Sequence, residues 1–195
     1  MKVILASSSV RRQKLLYRII DDFDVIVSNF DESLVEFEGD CAYYVMELAQ
    51  KKAASVEKYL NNKANDRNII VGCDTIVSFK NKILGKPGDE EEAFDMLKLL
   101  SGNVHKVYSG ITLIDTLNHK IKKDFVCTDV KFSTLSDSDI VKYIKKGECL
   151  DKAGAYGIQG YGGLFVEEIH GCYYNVVGLP LNKLSKMFRS MGVNL

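Results

Sequence analysis

Two arginines, Arg11 and Arg12, follow three serines, Ser7 to Ser9, directly after a short apolar run. The local pattern puts both in the first turn of a helix. The positive end of the helix dipole lies there and disfavours a cation by about a few tenths of a kcal/mol. Two readings stand open. The pair is a solvated surface feature, or it belongs to an anion site. In an anion site, free N–H groups, serine hydroxyls and guanidinium forks converge on a phosphate-like ligand.

Acidic residues with chemical potential are fewer. Asp74 interrupts the apolar run IIVGCDTIV, next to Gly72. A carboxylate inside such a run must sit at a strand end or be paired, because burying it alone is costly. It reads as a structural cap, a metal ligand or a general base. Gly72 beside it allows a close approach to the backbone. Glu32 lies in FDES, an acidic loop, and by itself is an ordinary exposed carboxylate or a second ligand.

The basic partners differ in how much their positions say. Lys86 sits in GKP, where the following proline holds the chain extended. Lys52 is more informative, because Val45, Leu48, Ala49, Ala53, Val56 and Leu60 mark one apolar helix face. At about 100° per residue, Lys52 falls roughly 40° from the centre of that stripe and Lys51 roughly 140° away. Lys52 therefore points inward, either to snorkel or to meet an anion. Gln159, in GAYGIQGYGG, is flanked by glycines that permit close backbone approach. Its amide could read a base edge, or the segment could be a tight structural turn.

These residues need elements to position them. Residues 2–6 read as a buried strand, 10–20 as a helix and 23–28 as a strand. Residues 40–60 form a long amphipathic helix, and 69–79 a β-branched strand that turns at 80–82. Asp89 caps a helix over 89–100, with Glu92 three residues later and Ser101–Gly102 as the stop. Residues 104–114 and 120–133 read as long paired strands, and 136–146 as a capped helix. The glycine-rich stretch 151–178 reads as loops and strands, and 181–191 closes the chain as a helix. The expected fold class is α/β, with a mixed sheet flanked by helices, because the long hairpin disfavours a purely parallel sheet.

Composition narrows the classes. The chain has 195 residues, of which 46% are hydrophobic and 27% charged, an ordinary globular composition. That length suits one domain over 1–195, or two small lobes sharing a sheet. Lysine plus arginine number 26 and aspartate plus glutamate 26. Zero net charge gives no reason to expect nucleic acid or a membrane surface as partner. No apolar run approaches the ~18 residues of a membrane-crossing helix, and the N-terminus lacks the apolar core of a signal peptide. Cys41, Cys73, Cys127, Cys149 and Cys172 are scattered, as are His105, His119 and His170. Neither set has metal-knuckle spacing, so reduced thiols in the cytoplasm are expected.

Taken together, the segments ILASSSVRR, FDES, LAQKKA, VGCDTIV, ILGKP, SGNVHKVYSG, LDKAGAYGIQG and NVVGLPL resemble the Maf family of nucleotide pyrophosphatases. They run in the family's order from residue 4 to residue 181. The resemblance implies an elongated mixed sheet flanked by helices, like the inosine triphosphate pyrophosphatases, with a cleft between two lobes. It implies hydrolysis of the α–β phosphoanhydride of a nucleoside triphosphate. It identifies Asp74 with the family's catalytic carboxylate, and Glu32, Lys52 and Lys86 with its polar site residues. Arg11, Thr75 and Gln159 match positions tied to substrate choice, and this set resembles the dTTP/UTP branch. Ser7, Arg11 and Arg12 would contact phosphate.

A divalent cation, Mg²⁺ or Mn²⁺, is the implied cofactor, with Glu32 and Asp74 as ligands. A homodimer is implied by resemblance alone. The same family association implies an alternative role as a nucleotide-binding regulator of septum formation, acting through a protein partner. The sequence departs from the family pattern at Val10, where proline is usual, at Cys73, often alanine, and at Ser109, often threonine. Cys73 beside Asp74 adds a thiol that could respond to oxidation.

Overall fold

Short β-branched runs and amphipathic helices alternate along the chain. The computed structural model describes residues 1–61 and 67–194. Among these residues seven strands form one mixed sheet. They are β1 Lys2–Leu5, β2 Asp24–Val25, β3 Asn68–Phe79, β4 Lys82–Leu84, β5 Val104–Asp115, β6 Lys120–Phe132 and β7 Val166–His170. The order is β2-β1-β3-β5-β6-β7, with β4 added to β3. β1 pairs parallel with β2 and β3, whereas β4 on β3 and β7 on β6 are antiparallel. The helices are α1 Val10–Leu16, α2 Cys41–Asn61, α3 Glu90–Leu100, α4 Asp137–Ile144, α5 Tyr173–Val177 and α6 Leu181–Ser190. The mixed α/β class expected from the sequence is the one found.

The residues gather into two compact units, with β3, β5 and β6 contributing to both. The first comprises Met1–Asp74, Ser109–Val126 and Gly178–Leu195. Its centre is helix α2, whose N-terminus is capped by Asp40 Oδ1, accepting from the N–H of Ala42 (2.8 Å) and Tyr43 (3.1 Å). Val45, Leu48, Ala49, Ala53 and Val56 on this helix are all buried, so the apolar stripe lies inward as its period requires. Ala53 and Val56 pack with Ile4, Ala6, Ile70 and Ile114. Burying each large aliphatic side chain here contributes about 1.5–3 kcal/mol.

Two missing side chains set how close α2 comes. A Cβ on Gly72 of β3 would lie 2.1 Å from the Ala49 carbonyl oxygen. A Cβ on Gly110 of β5 would lie 2.2 Å from the Val45 carbonyl oxygen. The close approach that Gly72 permits is therefore that of a helix.

The second unit comprises Thr75–Tyr108 and Cys127–Val177. Here α3 buries Ala93, Met96, Leu97 and Leu100, and α4 buries Ile140, Tyr143 and Ile144, around Phe132, Tyr156 and Phe165. Both helices are capped as their sequences indicate. The Asp89 side chain accepts from Glu92 N–H at 2.8 Å, and Ser136 and Asp139 form a reciprocal capping box. Glu92, however, accepts from Gly88 N–H rather than closing a box with Asp89. The β3–β4 hairpin turns through Lys80 (φ 49°) and Asn81 (φ 62°), both in the left-handed region that a tight hairpin turn needs.

Three expectations are corrected. The first helix ends at Leu16, not at residue 20, because Arg18 and Ile19 donate to the carbonyls of Leu15 and Leu16 in tighter turns. The strand expected over 23–28 is reduced to Asp24–Val25. The glycine-rich stretch, expected as loops and strands, contains the short helix α5.

His105 is buried in the second unit, with Nε2 2.8 Å from Tyr156 Oη and its ring edge-on to Phe132. Burial lowers its pKa to about 4, and Asp129 opposes this only weakly. A base with a depressed folded pKa stabilises the fold above its unfolded value. That stability is lost as pH falls from about 6.5 toward 4, up to roughly 3 kcal/mol.

Two outcomes are expected. Gly72→Ala should lower unfolding stability by about 1–3 kcal/mol in urea titration, since neither helix nor strand backbone can yield cheaply. His105→Phe should flatten the acid limb of stability between pH 6.5 and 4, measured as urea midpoints against pH. A wild-type limb that persists unchanged in His105→Phe would assign the acid sensitivity elsewhere.

Candidate active site

β1 delivers the chain into the serine run. Ser9 caps α1, its side chain accepting from Arg12 N–H at 3.5 Å. Ser7 is buried, and its Oγ accepts from Ser9 N–H and Arg12 Nη1, each at 3.3 Å. Arg12 Nε donates to the Gly178 carbonyl at 3.0 Å. Gly178 stands at φ 120°, a conformation that favours glycine. The Cys73 Sγ lies 3.2 Å from the same carbonyl. Arg12 thus ties the first helix to the segment before α6, and Arg11 is half-buried in the same turn. Burial pushes the Cys73 thiol up, and the nearby Arg12 charge offsets this only in part. A fully buried, protonated thiol is not an oxidation sensor, which corrects the expectation attached to Cys73.

Asp74 ends the first unit's share of β3 and is buried. Glu32 opens a single 3₁₀ turn, Glu32–Leu34, capped by Asp31, whose Oδ1 accepts from Ser33 N–H (3.0 Å) and Oγ (2.7 Å). Lys52 meets both carboxylates. Its Nζ is 2.6 Å from Asp74 Oδ1 and 2.8 Å from Glu32 Oε1. The Lys52 side chain is 12% exposed, whereas Lys51 next to it is exposed, so the helix phase read from periodicity holds. The contact at Gly72 lets this happen, since it seats α2 directly against the strand that carries Asp74.

Burial is the largest single influence on Lys52 and pulls its pKa down. The charge and hydrogen bond of Asp74, followed by those of Glu32, outweigh burial, so the pKa is raised. Tyr44 is half-buried nearby, and burial first, then Asp74 and Glu32, push its hydroxyl up. Tyr44 was not singled out in the sequence; its one signal is an aromatic pair, Phe37 and Tyr44, bracketing an acidic loop.

The structure therefore gathers Glu32, Lys52 and Asp74 into one cluster, and Ser7 and Arg12 into another. Thr75, Lys86 and Gln159 belong to the second unit. Thr75 is half-buried and Lys86 exposed. Gln159 is exposed on the turn closed by Gly160 N–H donating to the Gly157 carbonyl at 3.1 Å. Tyr143 Oη accepts from Gly157 N–H at 3.2 Å, and Glu148 Oε1 from Gly162 N–H at 3.1 Å, so both sides of this turn are pinned.

Among the described residues no group of three or more His, Cys, Asp and Glu is placed to hold a metal. The Glu32–Asp74 pair nevertheless fits a divalent ion of the Mg²⁺ kind. Two carboxylates already converge on one cation, the Lys52 ammonium. Hard cations of this size are commonly held by one or two carboxylates, with water and substrate phosphates completing the shell.

The fold is similar to that of the solved structure of the Staphylococcus aureus Ham1 protein. The likeness has a TM-score of 0.50 at 17% identity, over 98% of this chain and 100% of that one, and it concerns the fold. The family follows from the sequence. Residues 2–191 match the family model described as Maf-like protein, and the chain belongs to that family. Among its relatives, a protein of Clostridium novyi (strain NT) called dTTP/UTP pyrophosphatase is 64% identical over 195 residues, covering all of both chains. One of the same name from Clostridium kluyveri is 60% identical, again over the full length of both. No helix among the described residues is long and apolar enough to cross a membrane.

Removing Lys52 leaves the buried Asp74 carboxylate without its cation, beside the solvent-exposed Glu32. Lys52→Met should therefore lower stability by about 3 kcal/mol at pH 7, and Lys51→Met by no more than about 0.5. A raised lysine pKa contributes stability that is full below about 10.5 and lost as pH rises through the folded value. The gap between wild type and Lys52→Met should accordingly hold from neutrality to pH 10 and close above it, as read from unfolding midpoints. Equal losses at Lys51 and Lys52 would mean that the ion cluster carries no stability.

Proposed function

We propose that this protein is a nucleoside triphosphate pyrophosphatase that hydrolyses dTTP and UTP to the monophosphate and pyrophosphate. The observation that carries the reading is the lysine shared by a buried aspartate and a loop glutamate, 2.6 and 2.8 Å away. The dTTP/UTP pyrophosphatase name of full-length relatives at 60–64% identity supports the substrate choice.

In the proposed reaction, water attacks the α-phosphorus, its proton passes to the Asp74 carboxylate, and the α–β P–O bond breaks with pyrophosphate leaving. Glu32 and Asp74 would hold Mg²⁺ or Mn²⁺, which when bound offsets phosphate charge and polarises a phosphoryl oxygen. Lys52 holds the Asp74 carboxylate in place and supplies positive charge to the phosphates. Arg11, Arg12, Ser7 and Lys86 complete the phosphate contacts and stabilise the leaving group. Arg12 acts from a position already tied to Gly178, so its guanidinium is presented rather than loose. Thr75 and Gln159, with Arg11, select the base. In this reading residues 1–195 are one catalytic domain. In the same reading the protein works in the cytoplasm, in keeping with its five free thiols, and a homodimer rests on the family resemblance alone. A regulator acting only through a protein partner would have no use for a buried, cation-bridged Asp74.

The test is pyrophosphate release from dTTP, UTP and ATP with Mg²⁺ or Mn²⁺, for wild type and Asp74→Asn. Wild type should prefer dTTP and UTP and stop in excess chelator. Asp74→Asn should lose about a thousandfold or more in kcat while remaining folded. Orthophosphate as product, or near-normal turnover by folded Asp74→Asn, would reject the mechanism.

A further inference from the structure

Glu32 is carried by a loop with no core of its own. Between residues 27 and 40 no residue is buried, and Leu34 is 72% exposed. Yet its carboxylate is held at 2.8 Å from Lys52. Three contacts to α2, this one and one on either side of it, line the segment up. Asn29 Oδ1 accepts from Ser55 Oγ, Glu32 meets Lys52, and the Phe37 ring stands edge-on to Tyr44, centroids 5.5 Å apart at 75°. The loop numbers rise as the helix numbers fall, so the segment runs antiparallel along α2. The contacts span Ser55 to Tyr44, roughly 16 Å of helix at about 1.5 Å per residue. Gly39, at φ 94°, then turns the chain into the Asp40 cap. The Asn29–Ser55 bond is exposed and competes with water. The aromatic contact is half-buried and directional.

We propose that residues 29–37 form a strap laid along α2, and that Tyr44, through its ring contact with Phe37, is the positioning residue that holds Glu32 on Lys52. The strap itself follows from these contacts; its importance for turnover rests on the pyrophosphatase reading above. Tyr44 need not touch substrate. It fixes the second carboxylate of the pair, so that two acidic groups rather than one face an incoming divalent ion. Orienting partners of this kind commonly alter metal affinity by about tenfold or more.

The experiment uses the full chain with Tyr44→Phe, Tyr44→Ala and Phe37→Ala, each checked for its urea midpoint. Amide hydrogen exchange over residues 29–37, Mn²⁺ binding followed by electron paramagnetic resonance, and kcat and KM for dTTP against Mg²⁺ concentration are measured. Tyr44→Ala and Phe37→Ala should speed exchange in 29–37 alone by about tenfold. They should also weaken Mn²⁺ binding by about tenfold. The Mg²⁺ concentration for half-maximal rate should rise more than KM for dTTP. Tyr44→Phe, which keeps the ring, should stay within about twofold of wild type in every readout. Unchanged exchange in both alanine variants would overturn the strap. A loss in Tyr44→Phe equal to that in Tyr44→Ala would overturn the ring contact in favour of the hydroxyl. Wild type that cleaves no nucleoside triphosphate would sink the functional reading alone, because exchange still decides the strap.

Discussion

One ammonium group organises the first compact unit. Asp74 is buried in a strand, and Glu32 is on a loop without a core, and both point at Lys52 Nζ. Two carboxylates brought this close repel, most strongly on the buried Asp74 side, and the ammonium between them offsets that repulsion. The same offset explains why lysine, rather than an apolar residue, occupies an inward helix position. Lys52 and Asp74 are both taken out of water, and that cost is offset only when they meet, with the exposed Glu32 adding a second anion.

That meeting depends on backbone shape before it depends on charge. α2 lies against β3 at Gly72 and against β5 at Gly110, where any Cβ would stand near 2 Å from a helix carbonyl. A larger residue at either place would push α2 outward. Lys52 would then no longer span to Asp74 without stretching its side chain, and the loop strapped along α2 would move with it. The glycines thus act on the chemistry through distance, with no polar group of their own.

Arg12 is a second case in which a charged residue serves geometry. Two cations in the first turn of α1 oppose the helix dipole. Arg12 is compensated by hydrogen bonds to Ser7 Oγ and to the carbonyl of Gly178, which lies 166 residues away in the chain. The Gly178 carbonyl is also the neighbour of the Cys73 thiol, so the start of the chain, β3 and the entry to α6 share one polar junction. The cysteine is a packing element of that junction and not a reactive one. In the second unit, the turn that carries Gln159 is held by side chains that accept from its flanking N–H groups, Tyr143 from Gly157 and Glu148 from Gly162.

Much of this was legible in the residues alone. Caps at Asp89 and Ser136, the hairpin turn after Phe79, and the inward phase of Lys52 against the exposed Lys51 all depend on neighbours within a turn or two. Local geometry repeats with fixed periods, so spacing reveals it. The shortened first helix, the truncated strand β2 and the short helix α5 were not legible, because marginal segments take the form that their packing allows. The partners of the charges were hidden for a stronger reason. Lys52 lies 22 residues from Asp74, and nothing between them encodes their contact. The sequence by itself determined which residues could be charged, capped or buried, since those are properties of each side chain and its near neighbours. Only the tertiary structure decided which charge met which, because that is set by how closely a helix can approach a sheet where two glycines leave room.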